Sequence, residues 1–212
     1  MKIRWFGHSC FGIEYLNVKI LTDPFNETVG YPLPDYQPDI ITESHQHFDH
    51  NAHHLIKGNY ILINTPGNHL SKGIKITGFK TYHDRVKGHE RGENIIFKFR
   101  FSDGLTIAHF GDLGHILDKK MIEELKDINI IMIPVGGYYT IDANEAKKII
   151  DIINPEIVIP MHFKTKYVNF PISPVENFIK LMMRTVNNVG KEYTISKKEI
   201  SISDSKILLF NI

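Results

Sequence analysis

Residues 44–51 read SHQHFDHN, which places three histidines and an aspartate between positions 45 and 50. The stretch directly follows the apolar run PDIITE of residues 38–43, which has the composition of an inner strand. Imidazoles and carboxylates at the end of such a strand are costly to bury unless something binds them. The stretch therefore predicts a metal site in preference to a histidine-rich surface loop.

The spacing inside this stretch indicates two metal ions. Alternate side chains of an extended segment share a face, so we expect His45 and His47 to hold one ion together. Asp49 and His50 are adjacent, so the backbone must turn before both can face a ligand. The next segment, NAHHLIKG at 51–58, has a helix-like pattern. A strand-to-helix bend there would aim Asp49 and His50 at a second ion beside the first.

The size and charge of the chain limit its class. With 212 residues, 42% of them hydrophobic, the chain can bury a sizeable core, and we take residues 1–212 as one domain. Its formal net charge is +1, from 25 basic and 24 acidic residues. Such a balance produces no long-range field for a polyanion, so the charge does not suggest a nucleic-acid partner.

Cysteine content and hydropathy suggest the compartment. Cys10 is the only cysteine, so we expect it to be a small buried residue, and metal ligands must be imidazoles and carboxylates. The first residues lack an apolar run of signal-peptide length, and the most apolar segment, INIIMIPV, is too short to cross a bilayer. We therefore expect a cytoplasmic protein without membrane association.

The order of predicted elements favours a mixed α/β fold. Short strand-like runs separated by turn residues dominate the first half, from KIRWF to LTIAHF. In the second half, strands INIIMIPV and EIVIPM alternate with helical patterns at 119–126, 143–153 and 175–186, and two strands close the chain. We therefore expect sheets sandwiched between helices.

Two predicted helix starts carry acidic residues that we assign to capping. Asp142 with Glu145 fits a capping box, in which the two side chains satisfy unpaired amides of the first turn. Ser173 with Glu176, around Pro174 at the first helical position, fits a second box. We expect structural roles for these side chains.

Several motifs together resemble a known family. HQHFDH matches the signature HxHxDH, and the segments WFGHSCFGIE, KILTDPF, TYHD, IAHFGDLGH, IPVGGYYTIDANEA and IVIPMHFKT follow in order to about residue 165. On these segments the chain resembles metallo-β-lactamase-fold hydrolases, and among them the branch of L-ascorbate-6-phosphate lactonase-like and uncharacterised Zn-dependent proteins. The resemblance implies the α/β class and a four-layer αβ/βα sandwich of two mixed β-sheets flanked by helices.

The resemblance also implies seven metal ligands in two sites with one shared residue. The first site takes His45, His47 and His83, the second takes Asp49, His50 and His162, and Asp112 bridges them. The residues alone support part of this set, because Asp112 follows the strand TIAHF and His162 ends the strand EIVIPM. Strand ends of this kind can converge above one edge of a sheet.

Other histidines compete for roles near the site. His69, His89 and His109 are rivals of His83 as a ligand, although His83 closes the strand-like run IKITGFKTY. By resemblance, His109 orients a ligand, so we include it with Asp49 among the catalytic candidates. From the sequence, His8 fits equally well near the metals or in a loop. His53, His54 and His115 are also present, and we expect surface or packing roles for them.

The predicted chemistry is hydrolysis. Imidazole and carboxylate ligands favour zinc and also accept manganese or iron. Relatives that use two irons for redox chemistry carry glutamate where this chain has His47, which favours a hydrolase. Two ions would share a hydroxide that attacks a small-molecule substrate, expected to be an anionic ester, lactone or phosphodiester. Tyr138, Tyr139 and His115 are candidate proton donors for the leaving group.

Two other functions remain open from the sequence. The wider fold includes nucleases that process RNA or DNA, which would bind RNA tightly with a steep salt dependence. A metal-carrying sensor without turnover is the second alternative, and it is disfavoured because all seven ligand types are present. Family resemblance also implies a possible homo-oligomer.

Overall fold

The computed structural model describes residues 1–196, 198, 200 and 205–212, and these residues form two β-sheets and three α-helices. The strands, in chain order, are β1 (Lys2–Gly7), β2 (Cys10–Tyr15), β3 (Val18–Thr22), β4 (Ile40–Thr42), β5 (Ile61–Ile63), β6 (Gly67–Ser71), β7 (Ile74–Tyr82), β8 (Glu93–Arg100), β9 (Thr106–His109), β10 (Ile130–Pro134), β11 (Ile157–Met161), β12 (Thr185–Gly190), β13 (Glu192–Thr194) and β14 (Lys206–Phe210). The helices are α1 (Lys119–Leu125), α2 (Ala143–Ile153) and α3 (Glu176–Met182). Within the described ranges, no helix has the length and apolar character that crossing a membrane requires.

Both sheets are mixed, which confirms the predicted fold class. The first has the order β13-β1-β2-β3-β4-β5, with antiparallel pairs up to β3 and parallel pairs from β3 to β5. The second has the order β12-β14-β11-β10-β9-β8-β7-β6, parallel from β12 to β9 and antiparallel from β9 to β6.

The two sheets share one hydrophobic core. Trp5 and Phe11 of the first sheet belong to the same buried cluster as Ile107 and Ile159 of the second, together with the apolar faces of the three helices. Burying these side chains removes apolar surface from water, which is the main force that holds the two layers together. The pairing of the sheets therefore brings their edges close to each other.

The outer face of the first sheet has its own apolar cover. Alternate residues of each strand point to opposite faces, so Phe6 and Leu21 leave the shared core and pack with Phe25, Tyr31 and neighbouring loop residues. Cys10 is part of this second cluster as a buried free thiol, as expected. Burial on both faces explains why strands of the first sheet are apolar at consecutive positions.

Strand direction determines where the connecting segments emerge. β1 and β3 are both antiparallel to β2 and therefore run the same way, as does β4, which is parallel to β3. In the second sheet β7 is antiparallel to β8, and β8 is antiparallel to β9, so β7 runs with β9, β10 and β11. Segments that leave the carboxyl ends of these strands consequently meet at one end of each sheet.

Two sequence-based helix predictions are corrected by the structure. The pattern at 175–186 predicted one helix, but α3 ends at Met182, Met183 is left-handed with φ 49°, and Thr185 already begins β12. The segment 51–58 forms one 3₁₀ turn over Ala52–Leu55 instead of a longer helix. The short strand β6 had not been predicted, because its sequence, GNHLS, is too polar to indicate a strand.

One of the two predicted capping boxes is confirmed. Asp142 caps α2 by accepting hydrogen bonds from the amides of Asn144 and Glu145, and Glu145 accepts one from the Asp142 amide. The box at Ser173 is wrong, because α3 starts two residues later than predicted, with Val175 at its N-cap position and no side-chain cap. Residues with capping propensity do not start a helix where the backbone is still making sheet-like contacts, as Ser173 does with Gly136.

We expect Asp142→Ala to lower the free energy of unfolding by about 1 kcal/mol, because two amides of α2 lose their acceptor. Urea denaturation measures the change. Ser173→Ala is the matched control, and we expect its effect to stay within about 0.5 kcal/mol. Equal destabilisation by both substitutions would contradict the assignment of a cap to Asp142 and not to Ser173.

Candidate metal centre

All seven predicted ligand residues meet where the two sheets adjoin. They come from four segments, each of which follows a strand that runs in the common direction. His45, His47, Asp49 and His50 follow β4, His83 follows β7, Asp112 follows β9, and His162 follows β11. The side chains of the first sheet thereby face those of the second across the end of the shared core.

The first group is formed by His45, His47 and His83. One ring nitrogen of each lies within 4.8 Å of the others, a separation that allows a single ion to contact all three. Ring centroids are 4.7 Å apart for His45 and His47 and 4.8 Å apart for His45 and His83. The reason expected for the pairing of His45 with His47 was wrong, because both lie in a series of bends after β4 and not on an extended strand.

The second group is formed by Asp49, His50 and His162, and the structure adds His8 to it. Ligand atoms of all four residues lie within 4.8 Å of one another. His8 lies in the turn between β1 and β2, where its Nε2 is 3.3 Å from Asp49 Oδ2 and its ring centroid is 4.1 Å from that of His162. The position of His8, which the sequence left open, is therefore at the site.

Asp112 lies between the two groups. Its Oδ2 is 3.3 Å from His50 Nε2, 3.2 Å from His83 Nε2 and 3.1 Å from His162 Nε2. The Asp112 amide donates to Asn94 Oδ1 at 2.9 Å, which holds the turn after β9 against β8. This carboxylate is the one that contacts histidines of both groups, as a bridging ligand must.

Several buried polar atoms at the centre lack a hydrogen-bond partner among the described residues. They include His45 Nε2, His50 Nε2, Asp112 Oδ1 and His162 Nδ1. A buried polar atom without a partner costs about 1–3 kcal/mol, so several of them in one place need an explanation. Imidazole and carboxylate donors are the ligands that divalent transition metals prefer, and the cluster fits such ions.

Asp23, which sequence reasoning had not assigned, determines the proton positions of two histidines. Its Oδ2 accepts hydrogen bonds from His50 Nδ1 at 2.8 Å and from Ser44 Oγ at 2.6 Å. Because the Ser44 hydroxyl donates to Asp23, its oxygen accepts from His45 Nδ1 at 2.9 Å. Both imidazoles thus carry their proton on Nδ1, and their Nε2 atoms are left free to bind metal.

His109 lies beneath the cluster and does not border the cavity. Its Nε2 donates to the Ser9 carbonyl at 2.8 Å, and its Nδ1 accepts from the Gly111 amide at 3.3 Å. Nδ1 is also 3.9 Å from Asp23 Oδ2. His109 therefore ties the turn that carries Asp112 to the turn that follows His8, so it can influence the site only through other residues.

Burial and neighbouring charges bring several residues of the site to the ionisation state that metal binding requires. Burial lowers the pKa of His8 to about 4 and holds that of His45 well below its usual value. Burial would raise the pKa values of Asp49 and Asp112, but adjacent histidines lower both below the usual value. His50 is the exception: burial lowers its pKa, but Asp112 and Asp49 raise it further, so it would release a proton on binding metal.

Three of the non-glycine residues with a left-handed backbone conformation lie at this site. His8, Asp23 and His162 adopt left-handed conformations with φ of 52°, 42° and 52°. Such conformations are unfavourable for residues with a side chain and are typically found at functional sites. Gly136 packs against the same region so closely that a Cβ atom would lie 2.1 Å from the His162 carbonyl oxygen. The surrounding fold therefore holds the ligand loops in unfavourable but defined positions.

A cavity of about 450 Å³ opens onto the cluster. Besides site residues, its wall contains Gln46, Phe48, Arg91, Tyr139 and Phe170. A larger groove of about 700 Å³ lies elsewhere, between α1 and the strands β6 to β8, and contains none of the seven ligand residues. The smaller cavity is the one that a substrate of the cluster would enter.

The structure shows which of the remaining histidine and tyrosine candidates line the cavity and which lie elsewhere. Tyr139 lines the cavity, whereas Tyr138 is 67% exposed and is not part of the lining. His115 accepts from the Tyr82 amide and donates to the Ile116 carbonyl, so both of its ring nitrogens bind backbone. Further histidines are engaged away from the cavity, His53 with Glu43 and His69 with Thr65. His54 and His89, which are both exposed, are outside the ligand groups.

The two residues that the sequence did not assign carry only weak local signals. Asp23 directly follows the buried strand β3, which is the same strand-end position that identified Asp112. His8 directly follows β1, in the turn that leads into β2. A systematic search for polar residues at strand ends would have selected both, together with residues that have no role in the site.

Comparisons with known proteins indicate the family of the chain. Residues 2–162 match the model of the family described as the beta-lactamase superfamily domain. A UPF0173 metal-dependent hydrolase of Methanocaldococcus jannaschii is 30% identical over 224 residues, covering 92% of this chain and 96% of that protein. A hydrolase of the same description from Methanopyrus kandleri is 28% identical, and the match covers 92% of this chain and 95% of that protein.

A solved structure is similar over almost the entire chain. It is a Thermotoga maritima protein provisionally described as a Zn-dependent hydrolase of the metallo-beta-lactamase superfamily, determined at 2.00 Å resolution. The sequences are 41% identical, the TM-score is 0.84, and the match covers 99% of this chain and 98% of the other.

We expect Asp23→Asn to weaken metal binding by about 10–100-fold, because His50 Nδ1 loses its charged acceptor and Ser44 Oγ, which accepts from His45 Nδ1, loses the charged acceptor of its own proton. Titration of the metal-free protein with zinc measures the affinity. Asp35→Asn, at an exposed aspartate, is the control for loss of one negative charge. Unchanged affinity in the Asp23 variant would show that this carboxylate does not orient the ligands.

Proposed function

The chain belongs to the metallo-β-lactamase superfamily of metal-dependent hydrolases, and we propose that it uses two divalent metal ions to hydrolyse a small anionic ester, lactone or phosphodiester. The supporting observation is the position of Asp112, whose Oδ2 is within 3.3 Å of histidines from both ligand groups. A carboxylate in that position suits two ions better than one, because a single ion would leave one group without a partner.

The proposed ligand sets follow the two groups. One ion would be held by His45, His47 and His83, and the other by Asp49, His50 and His162, with Asp112 shared. Zinc is the metal that we propose, since the donors are imidazoles and carboxylates and the Thermotoga maritima relative is described as Zn-dependent. Manganese or iron would accept the same donors.

Ions bound there would lower the pKa of coordinated water to about 7 and supply a nucleophile at neutral pH. The residues of the chain prepare that chemistry. Asp49 and Asp112 are ionised at neutral pH, and together they only partly offset the charge of two divalent cations. The resulting positive charge would stabilise a phosphate or the oxyanion that develops during ester hydrolysis.

The second group also places a neutral imidazole next to a carboxylate. Burial lowers the pKa of His8 to about 4, so its ring is neutral at pH 7, and its Nε2 lies 3.3 Å from Asp49 Oδ2. His8 is thereby placed to keep Asp49 oriented toward the cluster. Phe48, Tyr139 and Phe170 form the apolar wall around this charge and limit the access of water.

Lactones are included because the motifs of the chain resemble those of L-ascorbate-6-phosphate lactonase-like proteins. Purified protein should be assayed against matched lactones, carboxylic esters and phosphodiesters, with the metals per chain determined on the same preparation. Hydrolysis that is lost on chelation and restored by zinc supports the proposal. Two bound metals without hydrolysis of any class would favour the sensor alternative.

We expect His47→Ala to lose at least one metal ion per chain and to reduce hydrolysis by more than about 100-fold, which exceeds the usual effect of a residue that only supports a ligand. Elemental analysis and a steady-state assay measure the two quantities. His54→Ala removes a neighbouring exposed histidine and serves as the control. Unchanged metal content in the His47 variant would refute its assignment as a ligand.

Asp112→Asn tests the shared ligand separately. The amide keeps the size of the side chain and removes its charge, so we expect both ions to bind more weakly and the metal content per chain to fall from two toward zero. Elemental analysis after dialysis measures the loss. Retention of one tightly bound ion would indicate that Asp112 is a terminal ligand of the other.

A further inference from the structure

The cavity above the metal cluster contains one permanently charged side chain that the proposed chemistry does not use. Arg91 borders this cavity together with Phe48, Tyr139 and Phe170, and it is not a member of either ligand group. We propose that Arg91 binds an anionic group of the substrate other than the bond to be hydrolysed. This inference rests on the proposed hydrolase function and specifies its substrate class.

The backbone of Arg91 is held in place by the segment that carries a metal ligand. Asp84, the buried neighbour of His83, accepts hydrogen bonds from four backbone amides of the following loop. The last of these is the Arg91 amide, at 2.8 Å from Asp84 Oδ2. In addition, the His83 amide donates to the Gly92 carbonyl at 3.0 Å. Residues on both sides of Arg91 are thus fixed relative to His83.

This loop is therefore organised before a substrate binds. A loop of glycine and charged residues would normally be mobile, and ordering it on binding would cost free energy. Here the four hydrogen bonds to Asp84 have already ordered the backbone. A guanidinium placed on such a loop can act as a defined recognition group.

Among the described residues, the Arg91 guanidinium forms one weak ion pair. Its Nη1 is 3.6 Å from Glu90 Oε2, and the Glu90 side chain is 63% exposed. An exposed pair of this kind contributes about 0–1 kcal/mol, so it can be exchanged for a substrate anion at little cost. By comparison, Arg85 on the same loop contacts both carboxylate oxygens of Glu145 at 2.9 Å. The Arg85 guanidinium is therefore occupied by its contact with Glu145, whereas the Arg91 guanidinium is available to bind a substrate anion.

Aromatic side chains define the space between Arg91 and the metal cluster. The Arg91 guanidinium carbon lies 5.7 Å from the centroid of Tyr139, which in turn packs edge-on against Phe170 at 6.2 Å. Phe48, 49% exposed, is another apolar residue of the lining. Contact with a ring face orients the guanidinium and leaves its N–H groups available to bind a carboxylate or phosphate.

The cavity is thus complementary to a substrate with three parts. A hydrolysable bond would be placed at the metal cluster, a short apolar segment would contact the aromatic rings, and an anionic group would pair with Arg91. A monoester of a short dicarboxylic acid has this arrangement. A phosphodiester whose only charge is at the scissile phosphorus lacks the third part.

Kinetics with two matched esters test the proposal. The zinc-loaded protein and its Arg91→Gln variant are assayed with the mono-4-nitrophenyl ester of glutaric acid and with the uncharged 4-nitrophenyl pentanoate. We expect the substitution to lower kcat/KM for the charged ester by about 10–100-fold, mainly through KM, because a hydrogen-bonded charge pair is lost. For the uncharged ester we expect a change of less than about 2-fold.

Arg85→Gln is the matched control, since it removes the same charge from the same loop but outside the cavity. Equal losses for both esters, or an equal effect of Arg85→Gln, would overturn the role of Arg91. Calorimetric binding of glutarate separates this result from failure of the proposed function. If neither ester is hydrolysed by the wild type, weaker glutarate binding by Arg91→Gln still supports the anion site, and binding that is absent or unchanged overturns it.

Discussion

The contact between the Asp112 carboxylate and three imidazoles is the interaction on which the site depends. Its Oδ2 lies within 3.3 Å of His50, His83 and His162, which follow three different strands in two sheets. A buried carboxylate is unfavourable unless positive charge or hydrogen-bond donors surround it. The arrangement is therefore possible only because both sheets present the carboxyl ends of their strands at the same place, and only if the cluster holds cations or protons.

The surrounding residues keep the ligands in one geometry. Asp23 directs the protons of His45 and His50 to their Nδ1 atoms, and Asn94 holds the turn of Asp112. Left-handed backbone conformations at His8 and His162 show that the tertiary contacts determine these loops more strongly than their local preference does. Rigid positioning of this kind allows metal binding without large rearrangement, and it explains why so many buried polar atoms tolerate the lack of a protein partner.

The site combines strong charge with an apolar entrance. Histidines and aspartates are grouped at the bottom of the cavity, whereas Phe48, Tyr139 and Phe170 contribute its wall. Electrostatic interactions are stronger where water is excluded, so the wall would increase the effect of metal ions held by these residues on a substrate. Arg91 adds one fixed positive charge beside the three aromatic side chains of the wall, and this asymmetry can distinguish substrates that share the same reactive bond.

The sequence by itself determined most strands and the mixed α/β class, because periodicity reports burial along an element. The HxHxDH motif indicated four of the seven residues that meet at the cluster, and the resemblance of the chain to a known family implied His83, Asp112 and His162. Tertiary structure alone decided the contact of Asp23 with His50, which is 27 residues away along the chain, and the position of His8. It also ended α3 at Met182, where the chain enters β12. The physical reason is that contacts between distant segments depend on strand order and direction, which local patterns do not contain.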